Sequence, residues 1–189
     1  ALNPIATFCK LVTNEQVLAS RPIAEPLTLL QCCPAVVDGA AAVVLTNKPG
    51  KGLAKPVRVL ASVVQSGVFE TGPVDMTEAE ITARAARLAY EQAGIGPEDL
   101  SLIELHDAFT ISELLYYEAL GLCKRGEAQH LLTSGATSLG GRIPVNPSGG
   151  LLAKGHPPGA TGVAQIVEIC EQLQQRAGKR QVQGARLGL

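Results

Sequence analysis

The stretch 143–162, IPVNPSGGLLAKGHPPGATG, constrains this chain more than any other. Glycines and prolines crowd around one histidine, and an amphipathic helical pattern follows at once. Gly155 and Gly159 let the backbone adopt positive φ or approach a ligand closely, while Pro157 and Pro158 stiffen the turn between them. His156 is thereby held on a rigid loop. A titratable imidazole there has no evident core role, which points to chemistry. The helix beyond the loop offers free N–H groups and partial positive charge at its start, an arrangement suited to an anion or a developing oxyanion.

What surrounds this loop is expected to be globular. The chain has 189 residues, 46% of them hydrophobic, enough for one domain or a tightly joined pair with a substantial core. A net charge of −1 and the lack of basic runs among aromatics argue against a nucleic-acid partner. The apolar runs at 39–46 and 57–64 are strand-length, far short of a membrane span, and the N-terminus has no basic segment followed by an apolar core. No membrane partner or targeting segment is expected. Five irregularly placed cysteines make a disulfide framework improbable, and most of these thiols are expected in the core.

Along the chain, Thr13 and Gln16 are spaced as a capping box for a short helix over 13–20. Residues 38–46 and 57–64 read as strands covered on both faces, with a glycine- and proline-rich linker at 47–56 between them. Residues 77–93 read as a helix with a Thr77/Glu80 capping box, a core face of Ile81, Ala85, Leu88 and Ala89, and a stop at Gly94. A short strand at 100–105 leads to His106 and Asp107, then to a helix over 109–120 closed by Gly121. A last helix over 161–175 repeats Val163, Ile166, Val167, Cys170 and Leu173, and a strand opens at 185–189. This alternation predicts a layered α/β fold with a buried sheet.

Ligands of such sheets gather past the carboxyl ends of strands, where His106 and Asp107 lie. Asp107 either caps the following helix or joins a site with His106. His130 sits in a polar segment and reads as a surface residue. No P-loop, GxGxxG or GxSxG pattern occurs, and the histidine and cysteine spacings give no metal site.

NPSGGLLAKGHPPGATG resembles the thiolase loop that carries a Gly-His-Pro motif, and ELHDAF resembles the sterol-carrier-protein form of the thiolase Asn-Glu-Ala-Phe motif. SRPIAEPLTLLQCCPAVVDGAAAVVL is similar to the end of the thiolase N-terminal half. The resemblance implies a thiolase fold, a layered α/β architecture around a buried mixed sheet. Residues 1–55 would be the tail of the N-terminal half with its linker, and residues 56–189 most of the C-terminal domain, without its last strands.

The implied activity is that of an acetyl-CoA C-acyltransferase, which makes or cleaves 3-oxoacyl-CoA through an acyl-cysteine intermediate. His156 would deprotonate the nucleophilic cysteine and help donate to the thioester oxygen. His106 would replace the motif's Asn in the same oxyanion hole. Phe109 would line the acyl and pantetheine pocket, with Gly150 and Gly155 against the substrate. Coenzyme A or its thioester would be a substrate, with no permanently bound cofactor and no metal. A homo-oligomer, or association with the missing half, is implied, in the cytoplasm or in the peroxisome of a eukaryote.

None of the five cysteines lies in the nucleophile's motif, so that residue is expected upstream of Ala1 and the chain alone is expected to be inactive. Ala108 stands where the sterol-carrier-protein branch can carry an acid/base cysteine. That departure leaves open a thiolase-like acyl-CoA aldolase or lyase, or a non-catalytic partner subunit.

Overall fold

The computed structural model describes residues 2–34, 37–48, 55–67 and 75–189. Its frame is a set of three parallel segments. Residues 101–105 run in the middle, bridged in parallel to the C-terminal segment at Leu102 and Gly188 and to the segment before the His156 loop at Ile103 and Val145. Ile103 N–H donates to Pro144 O at 3.0 Å and Asn146 N–H to Ile103 O at 2.7 Å; on the other side, Glu104 N–H donates to Leu189 O at 2.8 Å. Strand periodicity sends alternate residues to opposite faces, and both faces are covered. Ile103 and Leu105 pack with Tyr117, Leu120, Ile143 and Val145, whereas Leu102 packs with Val182, Ala185 and Ile169.

Helices α3 (Thr110–Ala119) and α6 (Pro158–Leu173) lie on the two crossovers that join these segments. Helices α2 (Glu80–Ala93) and α4 (Ala128–Thr133) pack against α3, α1 (Asn14–Leu18) contacts the turn at Leu29–Gln31, and α5 (Gly150–Lys154) directly precedes the His156 loop. A small hairpin, β1 (Pro22–Ala24) with β2 (Leu27–Thr28), precedes a bridge between Cys32 and Phe109. The result is the layered α/β fold that the pattern predicts.

Several local expectations hold. Thr13 and Gln16 form both bonds of the capping box, at 3.3 and 2.9 Å. Gly94 and Gly121 take φ of 69° and 73°, ending α2 and α3 in the left-handed region that glycine tolerates. His130 is exposed on α4, as its polar segment predicts.

Others need correction. Thr77 does not cap α2: its N–H and Oγ1 both bond Asp75 Oδ1, at 2.8 and 2.6 Å, so the local Asx-type turn outcompetes the helix start. The core face of α2 runs through Ala86 and Tyr90, while Ile81 is 44% exposed. Residues 38–46 and 57–64 have no regular secondary structure and form no strand ladder among the described residues, and they are mostly exposed. An apolar β-branched pattern becomes a buried strand only where a neighbour completes its hydrogen bonds and a layer covers it. Most of the linker at 47–56 lies outside the described residues. The cysteines are not core: Cys9 is exposed and Cys32, Cys33, Cys123 and Cys170 are half-buried.

Candidate active site

His106 stands one residue beyond the central strand, and His156 follows α5 and Gly155. The fold brings them together across 50 positions: their Nε2 atoms are 3.3 Å apart, with ring centroids 4.8 Å apart and planes at 85°. His106 is exposed and His156 half-buried.

The tautomers follow from the neighbours. Thr161 Oγ1 donates its one hydrogen to Pro157 O at 3.0 Å, and His156 Nδ1 lies 2.8 Å from that same Oγ1. Oγ1 therefore faces the ring with a lone pair, and Nδ1 must carry the proton. That leaves Nε2 of neutral His156 as the acceptor, bonded by a proton on His106 Nε2. Burial, and secondarily the neighbouring His106, holds the His156 pKa below its ordinary 6.5, so the neutral, proton-accepting form prevails at neutral pH.

The surrounding bonds hold the backbone on either side of His106. Leu105, just before His106, donates its N–H to Asn146 Oδ1 at 2.9 Å and accepts Gln165 Nε2 at 2.8 Å. Asn146 holds φ at 50°, a conformation that Asn tolerates better than most residues. On the other side of His106, the buried Asp107 does not cap α3, whose N-cap Phe109 makes no side-chain bond. Its carboxylate instead accepts the Leu151 N–H of α5 at 2.7 Å. Gly150, buried at φ 60°, lies so close to this carboxylate that a Cβ would collide with it. Gly155 turns the chain at φ 98°, and there a Cβ would come 2.8 Å from Thr7 Oγ1. Phe109, three residues after His106, is 44% exposed.

Two residues before His106 in the strand, Glu104 accepts Ser148 N–H and Oγ–H at 2.9 and 2.7 Å, with Lys154 Nζ at 4.0 Å. Burial raises the Glu104 carboxyl to about 7 despite those partners, and burial likewise raises Asp107 to about 7 against its backbone bonds. Lys154 Nζ is buried and makes no hydrogen bond among the described residues. At the start of α6, Pro157 and Pro158 carry no N–H, and Ala160 and Thr161 N–H both return to Pro157 O. This helix start therefore offers fewer free donors than its sequence implies, and imidazole nitrogens are the polar groups presented instead.

Sequence reasoning singled out His106 and His156 but missed Thr161, Glu104 and Gln165. Thr161 had a readable signal, a hydroxyl five residues after a loop histidine and in the first turn of a helix. Glu104 had one too, an acid inside an otherwise apolar strand. Gln165 had none.

Such a molecule is, by class, a parallel α/β unit with converging histidines at the carboxyl ends of its strands. The chain belongs to the thiolase C-terminal domain-like family, whose match covers residues 70–189. It is 47% identical over 96% of its length to benzoylsuccinyl-CoA thiolase subunit BbsB of Thauera aromatica, covering 48% of that protein. Sterol carrier protein 2 of Oryctolagus cuniculus is 46% identical over 99% of the chain, which covers 36% of it. Acetyl-CoA acetyltransferase of Methanothermobacter thermautotrophicus is also 46% identical over 99%, with 49% of it covered. The chain thus spans half or less of the length of these relatives. The solved Ltp2-ChsH2(DUF35) aldolase shares the fold at a TM-score of 0.75, with 24% identity, 98% of this chain and 49% of that chain covered. Among the described residues no helix is long and apolar enough to cross a membrane.

Proposed function

We propose that this chain forms the histidine-bearing part of an acyl-CoA thiolase active site, in which the nucleophilic cysteine comes from outside these 189 residues. The observation that carries this is the pairing of His106 and His156 through Nε2 at 3.3 Å, with His156 Nδ1 anchored on Thr161. His156 Nε2 takes the thiol proton, and the thiolate adds to the 3-keto carbon of a 3-oxoacyl-CoA. The bond between C2 and C3 then breaks, leaving an acyl-cysteine and the enolate of acetyl-CoA. His106 Nε2–H and the newly protonated His156 Nε2–H converge on the thioester oxygen and stabilise its charge. The enolate takes at C2 the proton that His156 Nε2 received from the cysteine, and His156 then takes the thiol proton of coenzyme A, whose thiolate attacks the acyl-cysteine; the cysteine sulfur leaves as the shortened thioester forms and recovers a proton from His156.

Phe109 lines the acyl and pantetheine path, and the Gly150 and Gly155 backbones flank the substrate. Three of the five cysteines here suit the nucleophile's role poorly: burial raises Cys33, Cys123 and Cys170, which disfavours their thiolates. The active species is an assembly with the other thiolase half, itself a homo-oligomer. A carbon–carbon lyase on acyl-CoA is the second reading, favoured by Ala108 at the position where a second thiol would serve as acid.

Mixing the chain with acetoacetyl-CoA and coenzyme A, alone and with a thiolase N-terminal half, tests the assignment. Thiolysis is expected only in the mixture, and cleavage by the isolated chain would refute the external nucleophile. In the active mixture, His156→Ala lowers kcat by about 10²-fold or more with the far-ultraviolet dichroism unchanged. The wild-type rate also falls as the pH drops through a value below 6.5, where His156 becomes charged.

A further inference from the structure

We propose that Asp107 is a positioning residue: by accepting the Leu151 N–H it seats α5 against the end of the central strand and thereby sets the approach of His156 to His106. It rests on the histidine pair being the reacting groups.

The connection is short on both sides. Asp107 directly follows His106, and α5 passes through Gly155 into His156. A helix of five residues has no independent stability, so its placement is decided by what grips it. The strand end grips it at three points. Glu104 accepts both Ser148 donors just before α5 and approaches Lys154 at its last residue, while Asp107 takes the N–H of Leu151 in between. Of these grips, that of Asp107 involves the side chain next to the His106 ring. A carboxylate on an amide N–H is a stronger and more directional tie than a neutral acceptor. Gly150 is the complement of this tie, because a side chain there would displace the carboxylate. Glu113 is the acid that faces Asp107 from α3, itself held by Tyr117 O–H and by Asn146 Nδ2–H at 3.4 Å. The carboxylate is therefore penned between α3 and α5, with little freedom to swing away.

The test reads the geometry and needs no catalysis. Nuclear magnetic resonance titration of the imidazoles in the 189-residue chain gives the His156 pKa with and without His106→Ala. Because His106 depresses it, the replacement should raise the His156 pKa in the wild-type background. In Asp107→Ala that rise is expected to vanish, since the rings no longer meet, whereas Asp107→Asn, which keeps an acceptor for Leu151, retains it. An equal rise in Asp107→Ala and wild type overturns the proposal, as does loss in a folded Asp107→Asn. If Asp107→Ala does not fold, Gly150→Ala replaces it, and an undiminished rise there is equally fatal. A wild-type rise without thiolysis in the assembled mixture would instead count against the thiolase assignment and leave the seat of α5 intact.

Discussion

A single hydroxyl decides which nitrogen of His156 is left as the acceptor. Thr161 spends its proton on Pro157 O and so obliges Nδ1 to donate, leaving Nε2 as the acceptor that meets His106 Nε2. Thr161→Val keeps the shape and removes the acceptor. The ring is then free to take the other tautomer, and kcat in the assembled enzyme is expected to fall about tenfold or more, equivalent to about 1.4 kcal/mol of barrier. Nitrogen-15 shifts of the imidazole would report the tautomer directly, and an unchanged Nδ1–H signal would refute the role of Thr161. At this scale the sequence was informative about the imidazoles and poor about their supports. His156 betrays itself by local context, a titratable ring among glycines and prolines. Its partners come from positions 5 and 50 residues away, and no local pattern encodes which of several hydroxyls or acids will arrive.

Among the elements, α6 departs furthest from its sequence pattern. Its repeat of Val163, Ile166, Val167, Cys170 and Leu173 predicts an apolar inner face, yet Ile166 is 50% exposed, while Thr161, Glu168 and Gln172 are buried. The inner face is held by polar bonds. Arg180 forks onto Glu168 at 2.8 to 3.2 Å and reaches Glu171 at 2.9 Å, and Gln172 donates to Glu168 and to Arg180 O, each at 2.9 Å. Periodicity reports how wide an apolar stripe is, but it cannot say which side of a helix meets the rest of the molecule when the other side is polar and satisfied. Arg180→Ala strands the buried Glu168 carboxylate, a defect worth about 3–5 kcal/mol. Thermal denaturation should show a melting temperature lower by roughly 10 °C. A change within a degree or two would mean that Glu168 finds another partner.

Across the molecule, the alternation of elements was legible because each crossover carries its own signals: glycine stops, an apolar strand and a helix. The short segment at 143–146 was hidden inside the glycine and proline run, where prolines mask strand character. Buried acids give the whole chain an acid-favouring stability. The Glu104 carboxyl titrates near 7 folded against an ordinary 4.5, so its contribution is complete below about 4.5 and is lost as the pH rises through 7. Denaturant unfolding should therefore show a lower midpoint at pH 8 than at pH 5, and Glu104→Gln should flatten that difference. An unaltered pH dependence in the variant would assign the effect elsewhere.

The apolar stretches at 38–46 and 57–64, which form no ladder among the described residues, have a consequence for handling the molecule. Val44 and Leu45 are 91% and 80% exposed, and Val59 and Val64 are 69% and 90% exposed. Apolar, β-branched backbone with open amide and carbonyl groups is a template for pairing with another chain. At rising concentration the isolated polypeptide should therefore self-associate into β-rich aggregates that scatter light and bind thioflavin. A Val44→Lys, Val64→Lys variant places charge on both templates and should remain clear at concentrations where the parent turns turbid, because like charges oppose stacking and a solvated ammonium resists burial.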